Sequence, residues 1–345
     1  MGGEGINDKQ LGSTYDTVNF QFGCQESETG LFRTQHVDGI MGMSANDDTL
    51  PFQLHSQSIT KSKIFAMCFS SGGGILTLGG VNQLIHNKNE KIKYAALIKT
   101  RGWFTVKLLD VFMRPSPSSR DYKLITSKTI SPKVKVGQSY AISIDSNIPD
   151  LNGRKGVIVD SGTTDTYLPA SIKNSFEKLF KKLSGGIVYS NNNMILKQDQ
   201  YDSLPIIIYR LEGVDGKHVH IENHPSSYAE SLGNGNYAFR VYLSEPSGAV
   251  LGANFMNNHN VIFDIENKRV GFVKSTCKYD HLKENFTHNN SSSNNNNNNN
   301  NGDDNNIYID KSNSDERKEN DSNEKSLYSF EGLISSVTSH LVGIF

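Results

Sequence analysis

One side chain in this sequence is placed where a carboxylate could do chemistry. Asp160 ends the apolar run Val157-Ile158-Val159 and heads the segment Asp160-Ser161-Gly162-Thr163-Thr164. A buried strand that delivers an acid to a glycine turn is unusual, because carboxylates are costly to bury without partners. Ser161 and Thr163 offer hydroxyls, and Gly162 lets backbone amides approach, so the segment can hold Asp160 ionised and oriented. Two roles fit these residues taken alone: a catalytic carboxylate, or an Asp that caps a turn ahead of a helix. Metal chemistry has no comparable segment. Cys24, Cys68 and Cys277 lack ligand spacing, and the ten histidines include no His-Glu-x-x-His helix. No organic cofactor motif stands out either.

The elements around Asp160 must be mainly strands. Thr17-Val18-Asn19-Phe20-Gln21-Phe22 alternates in polarity, as a half-buried strand does. Gly73-Gly74-Ile75-Leu76-Thr77-Leu78-Gly79-Gly80 is a short strand between glycine turns, and Tyr237, Phe239, Val241 and Leu243 alternate with their neighbours. Val261 to Ile265 and Arg269 to Val273 flank Glu266-Asn267-Lys268 and predict a hairpin. One helix follows the acid. Ile172, Phe176, Leu179, Phe180 and Leu183 form a single stripe, with Pro169 near its start and Gly185-Gly186 as its stop.

Composition bounds the remainder. The 345 residues suffice for two domains, and a formal charge of −1 provides no long-range field for nucleic acid or an anionic membrane. No run of about 20 apolar residues encodes a spanning helix. The start, Met1-Gly2-Gly3-Glu4-Gly5-Ile6, carries neither a secretory signal nor a myristoylation motif, and it reads as an interior piece of a longer protein. Residues from about 283 onward are rich in Asn, Ser and Asp, with unbroken Asn from Asn294 to Asn301, a composition expected to stay disordered.

Several ordered motifs, taken with the Asp160 segment, resemble the pepsin-like family of aspartic endopeptidases. Val250-Leu251-Gly252, in the strand-helix-strand-turn-strand stretch from Ala249 to Val273, is similar to the end of that family's C-terminal lobe. Pro205-Ile206-Ile207-Ile208, Gly213 and His224-Pro225-Ser226-Ser227-Tyr228 sit where the family has comparable strands and turns. Upstream, Val37-Asp38-Gly39-Ile40-Met41-Gly42-Met43 resembles the signature closing its N-terminal lobe, and Trp103-Phe104 its entry to the strands linking the lobes.

The resemblance implies a mainly β, bilobal fold, with a partial N lobe over residues 1–100 and a nearly complete C lobe over 101–280. An Asn-rich linker over 281–326 follows, then a short amphipathic helix over 327–345. It implies hydrolysis of peptide or protein substrates by a water held between two carboxylates, without cofactor or metal. Asp160 would be the C-lobe catalytic acid, Ser161, Gly162 and Thr163 its support, and Thr164 part of the substrate cleft.

The sequence holds no second Asp-Thr-Gly or Asp-Ser-Gly, and neither the family's first catalytic strand nor its flap. The expected explanation is an N-terminally truncated chain. The alternatives are a pseudoprotease that binds peptides without cutting, and a pair of chains that each donate Asp160.

Some members, including the membrane-anchored β-secretases and plasmepsin V, are similar at Cys68 and Cys277 and join them. The resemblance thus implies a Cys68–Cys277 disulfide, against the alternative of two buried free thiols. Asn285, Asn289 and Asn290 head N-glycosylation acceptors, which fit a secretory or endolysosomal protein. In the final segment, Phe330, Leu333, Ile334, Val337 and Leu341 recur at helical spacing. That stripe would allow membrane association, although its polar face lacks Lys and Arg.

Overall fold

The computed structural model describes residues 18–24, 26–27, 39–70, 73–99, 101–117, 141–144, 150–153 and 156–278, and the backbone alone of 133–136, 139–140, 149, 307–309 and 327–328. In chain order the first elements are α1 (Leu50–Ser56), β1 (Ile64–Ser70), β2 (Gly73–Leu78) and β3 (Lys93–Ala96). Next come β4 (Thr105–Val106), β5 (Leu108–Arg114), β6 (Lys133–Val136), β7 (Ser139–Ser143), β8 (Val157–Val159) and β9 (Thr166–Pro169). Then follow α2 (Lys173–Leu183), β10 (Met194–Ile195), α3 (Gln198–Asp202), β11 (Ile206–Glu212), β12 (His218–Asn223) and α4 (Pro225–Tyr228). The rest are β13 (Ala229–Gly233), β14 (Asn236–Phe239), β15 (Val241–Glu245), β16 (Ala249–Leu251), α5 (Ala253–Met256), β17 (His259–Asp264) and β18 (Arg269–Lys274). Two short strands, β19 (Ile307–Ile309) and β20 (Leu327–Tyr328), complete the set. The mainly β architecture expected from the sequence is present.

A seven-stranded sheet, in the order β20-β19-β2-β1-β17-β18-β3, brings residues 64–96 together with residues 259–274. Within it β17, between β1 and β18, is buried along its whole length. Burying the last residue of that strand, Asp264, is tolerable because Arg269 Nε donates to its Oδ2 at 2.7 Å and the Asn267 amide to its Oδ1 at 3.1 Å. The β17–β18 pair is the hairpin read from the sequence. Its turn holds Lys268 at φ 52°.

The remaining sheets build the acid's surroundings. One has the order β15-β9-β16-β8-β4, a second β12-β11-β5-β7-β6, and the smallest β10-β14-β13. Helix α2 packs its expected stripe inward: Phe176, Phe180 and Leu183 are buried, and Ile172 is buried in the single turn that precedes it. Phe180 meets Tyr189 and Phe239 edge-on, at centroid separations of 4.9 and 5.4 Å. Gly185 at φ 72° then ends the helix, and the Gly186 amide reaches back to the Lys181 carbonyl.

Two sequence expectations change. Val18 to Phe22 forms no strand, and Phe22 is 76% exposed. Among the described residues no neighbouring strand is available to complete its ladder, so alternation alone does not suffice. The segment is held instead by paired bonds between Asn19 and Gln57: the Asn19 amide donates to Oε1 at 2.9 Å and Nε2 to the Asn19 carbonyl at 2.8 Å. The run from Tyr237 to Leu243 is two strands rather than one. Arg240 leaves the ladder between them, its amide donating to the Tyr228 carbonyl at 2.7 Å.

Of residues 281–345 only the backbone of β19 and β20 is described; the rest of the Asn-rich linker and the 330–341 stripe lie outside the described residues. Within the linker β19 pairs antiparallel with β2, and Leu327–Tyr328, expected to open a helix, pairs in parallel with β19. Among the described residues no helix is long and apolar enough to cross a membrane.

Candidate functional site

Asp160 sits where β8 leaves its sheet. The Val159 amide donates to the Phe104 carbonyl at 2.9 Å, and the Asp160 amide donates to the Leu251 carbonyl at 3.0 Å. The chain then turns through Ser161 to Asp165 and comes back as β9. Strand β16 threads between the two arms of this loop: it pairs in parallel with β8, with Leu251 opposite Val159, and antiparallel with β9, with Val250 opposite Tyr167. The strand carrying Val250-Leu251-Gly252 therefore passes beside Asp160, as its sequence suggested.

Gly252 allows the close approach. A Cβ at this position would lie 2.2 Å from the Asp165 carbonyl oxygen and 2.6 Å from that of Thr163. Past it, the Ala253 amide donates to the Thr163 carbonyl at 2.7 Å and the Asn254 amide to the Thr164 carbonyl at 3.1 Å. Asn254 also ties down the loop's exit: Thr166 Oγ1 donates to its Oδ1 at 2.7 Å, while its Nδ2 donates to the Arg240 carbonyl at 2.7 Å.

The carboxylate is held from both sides. The Gly162 amide donates to Asp160 Oδ1 at 2.9 Å, and Thr163 Oγ1 donates to Oδ2 at 2.7 Å. One inner donor per oxygen fixes the plane of the group and leaves outer lone pairs for a water or a proton. Ser161 is buried, at 6% exposure, whereas Gly162 and Thr163 are half-buried and Thr164 is exposed. An apolar pocket lined by Phe65, Met67, Phe104, Ile158 and Phe263 adjoins Asp160 and Ser161. The Phe65, Phe104 and Phe263 rings pack together beneath it, with Phe263 4.6 Å from each of the other two. Trp103, also on this pocket, is 51% exposed.

Asp165, in the same loop, has the most altered acidity nearby. Its carboxyl is pushed up to about 6, chiefly by burial; Arg240 opposes the shift and Glu230 adds to it. The Arg240 guanidinium is engaged by Glu230, with Nε donating to Oε2 at 2.6 Å. Sequence reading passed over Asp165 and Asn254. A charged residue at the entry to Thr166-Tyr167-Leu168, and a lone amide in Ala253-Asn254-Phe255-Met256, were the available signals.

Cys68 on β1 and Cys277 just beyond β18 are joined as a disulfide, and Cys24 is exposed and free. Asn285, Asn289 and Asn290 lie outside the described residues. Among the described residues, no three His, Cys, Asp or Glu side chains converge in a way that could hold a metal ion.

A mainly β fold, with an acid on a loop through which a second strand threads, is the architecture of an aspartic protease lobe. Residues 121–275 match the family model described as eukaryotic aspartyl protease, and residues 6–80 match the one described as xylanase inhibitor N-terminal. Aspartic proteinase 36 of Arabidopsis thaliana is 24% identical over 273 residues, which cover 74% of this chain and 49% of that protein. Plasmepsin V of Plasmodium falciparum is 23% identical over 309 residues, with 74% and 52% covered. Pepsin B of Canis lupus familiaris is 25% identical over 289 residues, with 76% and 63% covered. The chain thus spans about half the length of the first two relatives. Fold, loop and matches together make the chain similar to the pepsin-like aspartic proteases.

Proposed function

We propose that this chain supplies one carboxylate of an aspartic endopeptidase, and that Asp160 is that group. The observation carrying this reading is the fixed carboxylate, held by the Gly162 amide and the Thr163 hydroxyl in a loop braced by β16. In the proposed reaction a water bound between Asp160 and a second Asp attacks a peptide carbonyl. Two carboxylates about 3 Å apart share one proton, so one acts as base while the other donates. Ser161, Gly162 and Thr163 hold Asp160 in place, and exposed Thr164 borders the path of a peptide or protein substrate. The second Asp would come from chain outside this sequence, or from a second copy.

The presence of a single Asp-Ser-Gly in the sequence favours one other reading, in which the site binds peptides without cutting them. Cleavage of a peptide library in acid separates the two. Acid cleavage that is lost in Asp160→Asn supports the protease; peptide binding without turnover in the unmodified protein supports the binding protein. The Cys68–Cys277 disulfide favours an oxidising, secretory or endolysosomal setting. Association with a membrane through residues 327–345 belongs to the same proposal, and binding of the full chain to lipid vesicles tests it.

A further inference from the structure

The exit arm of the Asp160 loop is held by buried, uncharged polar side chains: Thr166, Asn223 and Asn254. Asn254 uses both ends of its amide. Its Oδ1 accepts from Thr166 Oγ1 at 2.7 Å, and its Nδ2 donates to the Arg240 carbonyl at 2.7 Å. A backbone carbonyl can only accept, which fixes the orientation of this amide and makes Thr166 the donor at its other end. The main chain beside it serves the same arm: the Asn254 amide donates to the Thr164 carbonyl, and the Ala253 amide to the Thr163 carbonyl. Asn223, the last residue of β12, ties α5 to that strand. Its Nδ2 donates to the carbonyls of Asn254 and Phe255 at 3.1 and 3.3 Å, acceptors that a helix end leaves without an internal partner. The series of bonds ends at the acid. Thr163, whose carbonyl is held in this way, is also the residue whose Oγ1 donates to Asp160 Oδ2 at 2.7 Å.

We propose that Asn254 is a positioning residue for the Asp160 carboxylate, acting through Thr163 and anchored to β12 by Asn223. The site needs a short side chain with both a donor and an acceptor to join Thr166 to the Arg240 carbonyl. Leu at position 254 has a similar size but would leave the Thr166 hydroxyl and the Arg240 carbonyl without this partner in a buried place. Asp would set a carboxylate oxygen, which only accepts, against the Arg240 carbonyl. Either change frees Ala253 and Asn254 to shift, and Thr163 shifts with them. Gly162 and Thr163 touch the acid, whereas Asn254 determines where Thr163 stands. The functional meaning rests on the reading of Asp160 as a catalytic carboxylate; the positioning itself does not.

The test is backbone amide exchange of the full chain, read at Gly162, whose amide donates to Asp160 Oδ1, and at Val261 on the buried strand β17. In Asn254→Leu and in Thr166→Val the Gly162 amide should exchange about tenfold faster than in the parent, the factor for one lost buried hydrogen bond. Thr166→Ser keeps the hydroxyl and should restore the parent rate. A merely structural role would speed exchange at Val261 and leave Gly162 as it was. The unmodified chain supplies a check that needs no variant. Its Asn254 Nδ2 protons should exchange at least about tenfold more slowly than those of the exposed Asn192. A Gly162 rate unchanged in both Asn254→Leu and Thr166→Val, no recovery in Thr166→Ser, or equal side-chain rates at Asn254 and Asn192 would overturn the proposal. All of these readouts are exchange rates, so a failure to cleave peptides counts against the protease reading alone.

Discussion

Gly252→Ala tests whether the threaded strand holds the Asp160 loop. The methyl would be placed 2.2 Å and 2.6 Å from the carbonyl oxygens of Asp165 and Thr163, far inside contact distance. Both obstacles are backbone, so no side chain can swing away. Either β16 or the loop must shift, and with it the bonds from Ala253 and Asn254 to Thr163 and Thr164. Two such bonds contribute about 1 kcal/mol each, and the overpacking adds about 1 to 3 kcal/mol. The expected loss is thus about 3 to 5 kcal/mol. With a urea slope of roughly 2 to 3 kcal/mol per molar, the unfolding midpoint should fall by about 1 to 2.5 M. Gly39→Ala is the control, because nothing lies within 4 Å of its Cβ position, and it should change stability by no more than about 0.5 kcal/mol. A Gly252→Ala protein within about 1 kcal/mol of the parent would refute the bracing role.

Further outcomes follow from the disulfide and the buried histidines. Cys68 and Cys277 are 209 residues apart, so reduction, or replacement of both by Ser, should cost roughly 5 kcal/mol in the chain-entropy account, read by urea unfolding. Thiol titration of the denatured protein should detect Cys24 alone before reduction and all three cysteines after it. Burial lowers both His259 and His220 from 6.5 to about 4, with the nearby Asn257 carbonyl opposing the shift at His259 and Arg210 adding to it at His220. Between these values the unfolded state binds more protons than the folded one, so this stabilisation is complete above about pH 6.5 and lost as the pH falls toward 4. For His259 it amounts to at most about 3 kcal/mol, and unfolding at several pH values should show a shallower acid loss in His259→Gln.

How much of this was legible in the sequence depended on how local the cause was. The Asp160 segment, the α2 stripe and the β17–β18 hairpin each announce themselves within a few residues, through an apolar run, a 3.6-residue repeat or a polar turn. Val250-Leu251-Gly252 was legible only beside the Asp160 segment, since three residues have no periodicity of their own. What stayed hidden was set by distant partners. Nothing in Tyr237 to Leu243 marks Arg240 as a break; its carbonyl is claimed by Thr166 and Asn254, both remote in sequence. Val18 to Phe22 has the alternation of a strand, and Val18 and Phe20 pack against the core, but among the described residues no strand pairs with it.

The division of labour in the loop also decides what a change at the acid means. The frame is main chain: Asp160 amide to Leu251, Ala253 to Thr163, Asn254 to Thr164. None of these bonds uses the Asp160 carboxylate. In Asp160→Asn a side-chain oxygen remains to accept from one of the two inner donors, Gly162 or Thr163. The loss is then confined to one charge-assisted bond, of roughly 1.5 to 3 kcal/mol, within a loop whose backbone bracing persists. A cleavage activity that disappears with this substitution, in a protein that still unfolds cooperatively, is therefore a loss of charge and proton exchange rather than of shape. Gly252→Ala does the reverse, since it moves the frame and leaves the acid's chemistry untouched. The two substitutions together separate where the acid is held from what it does.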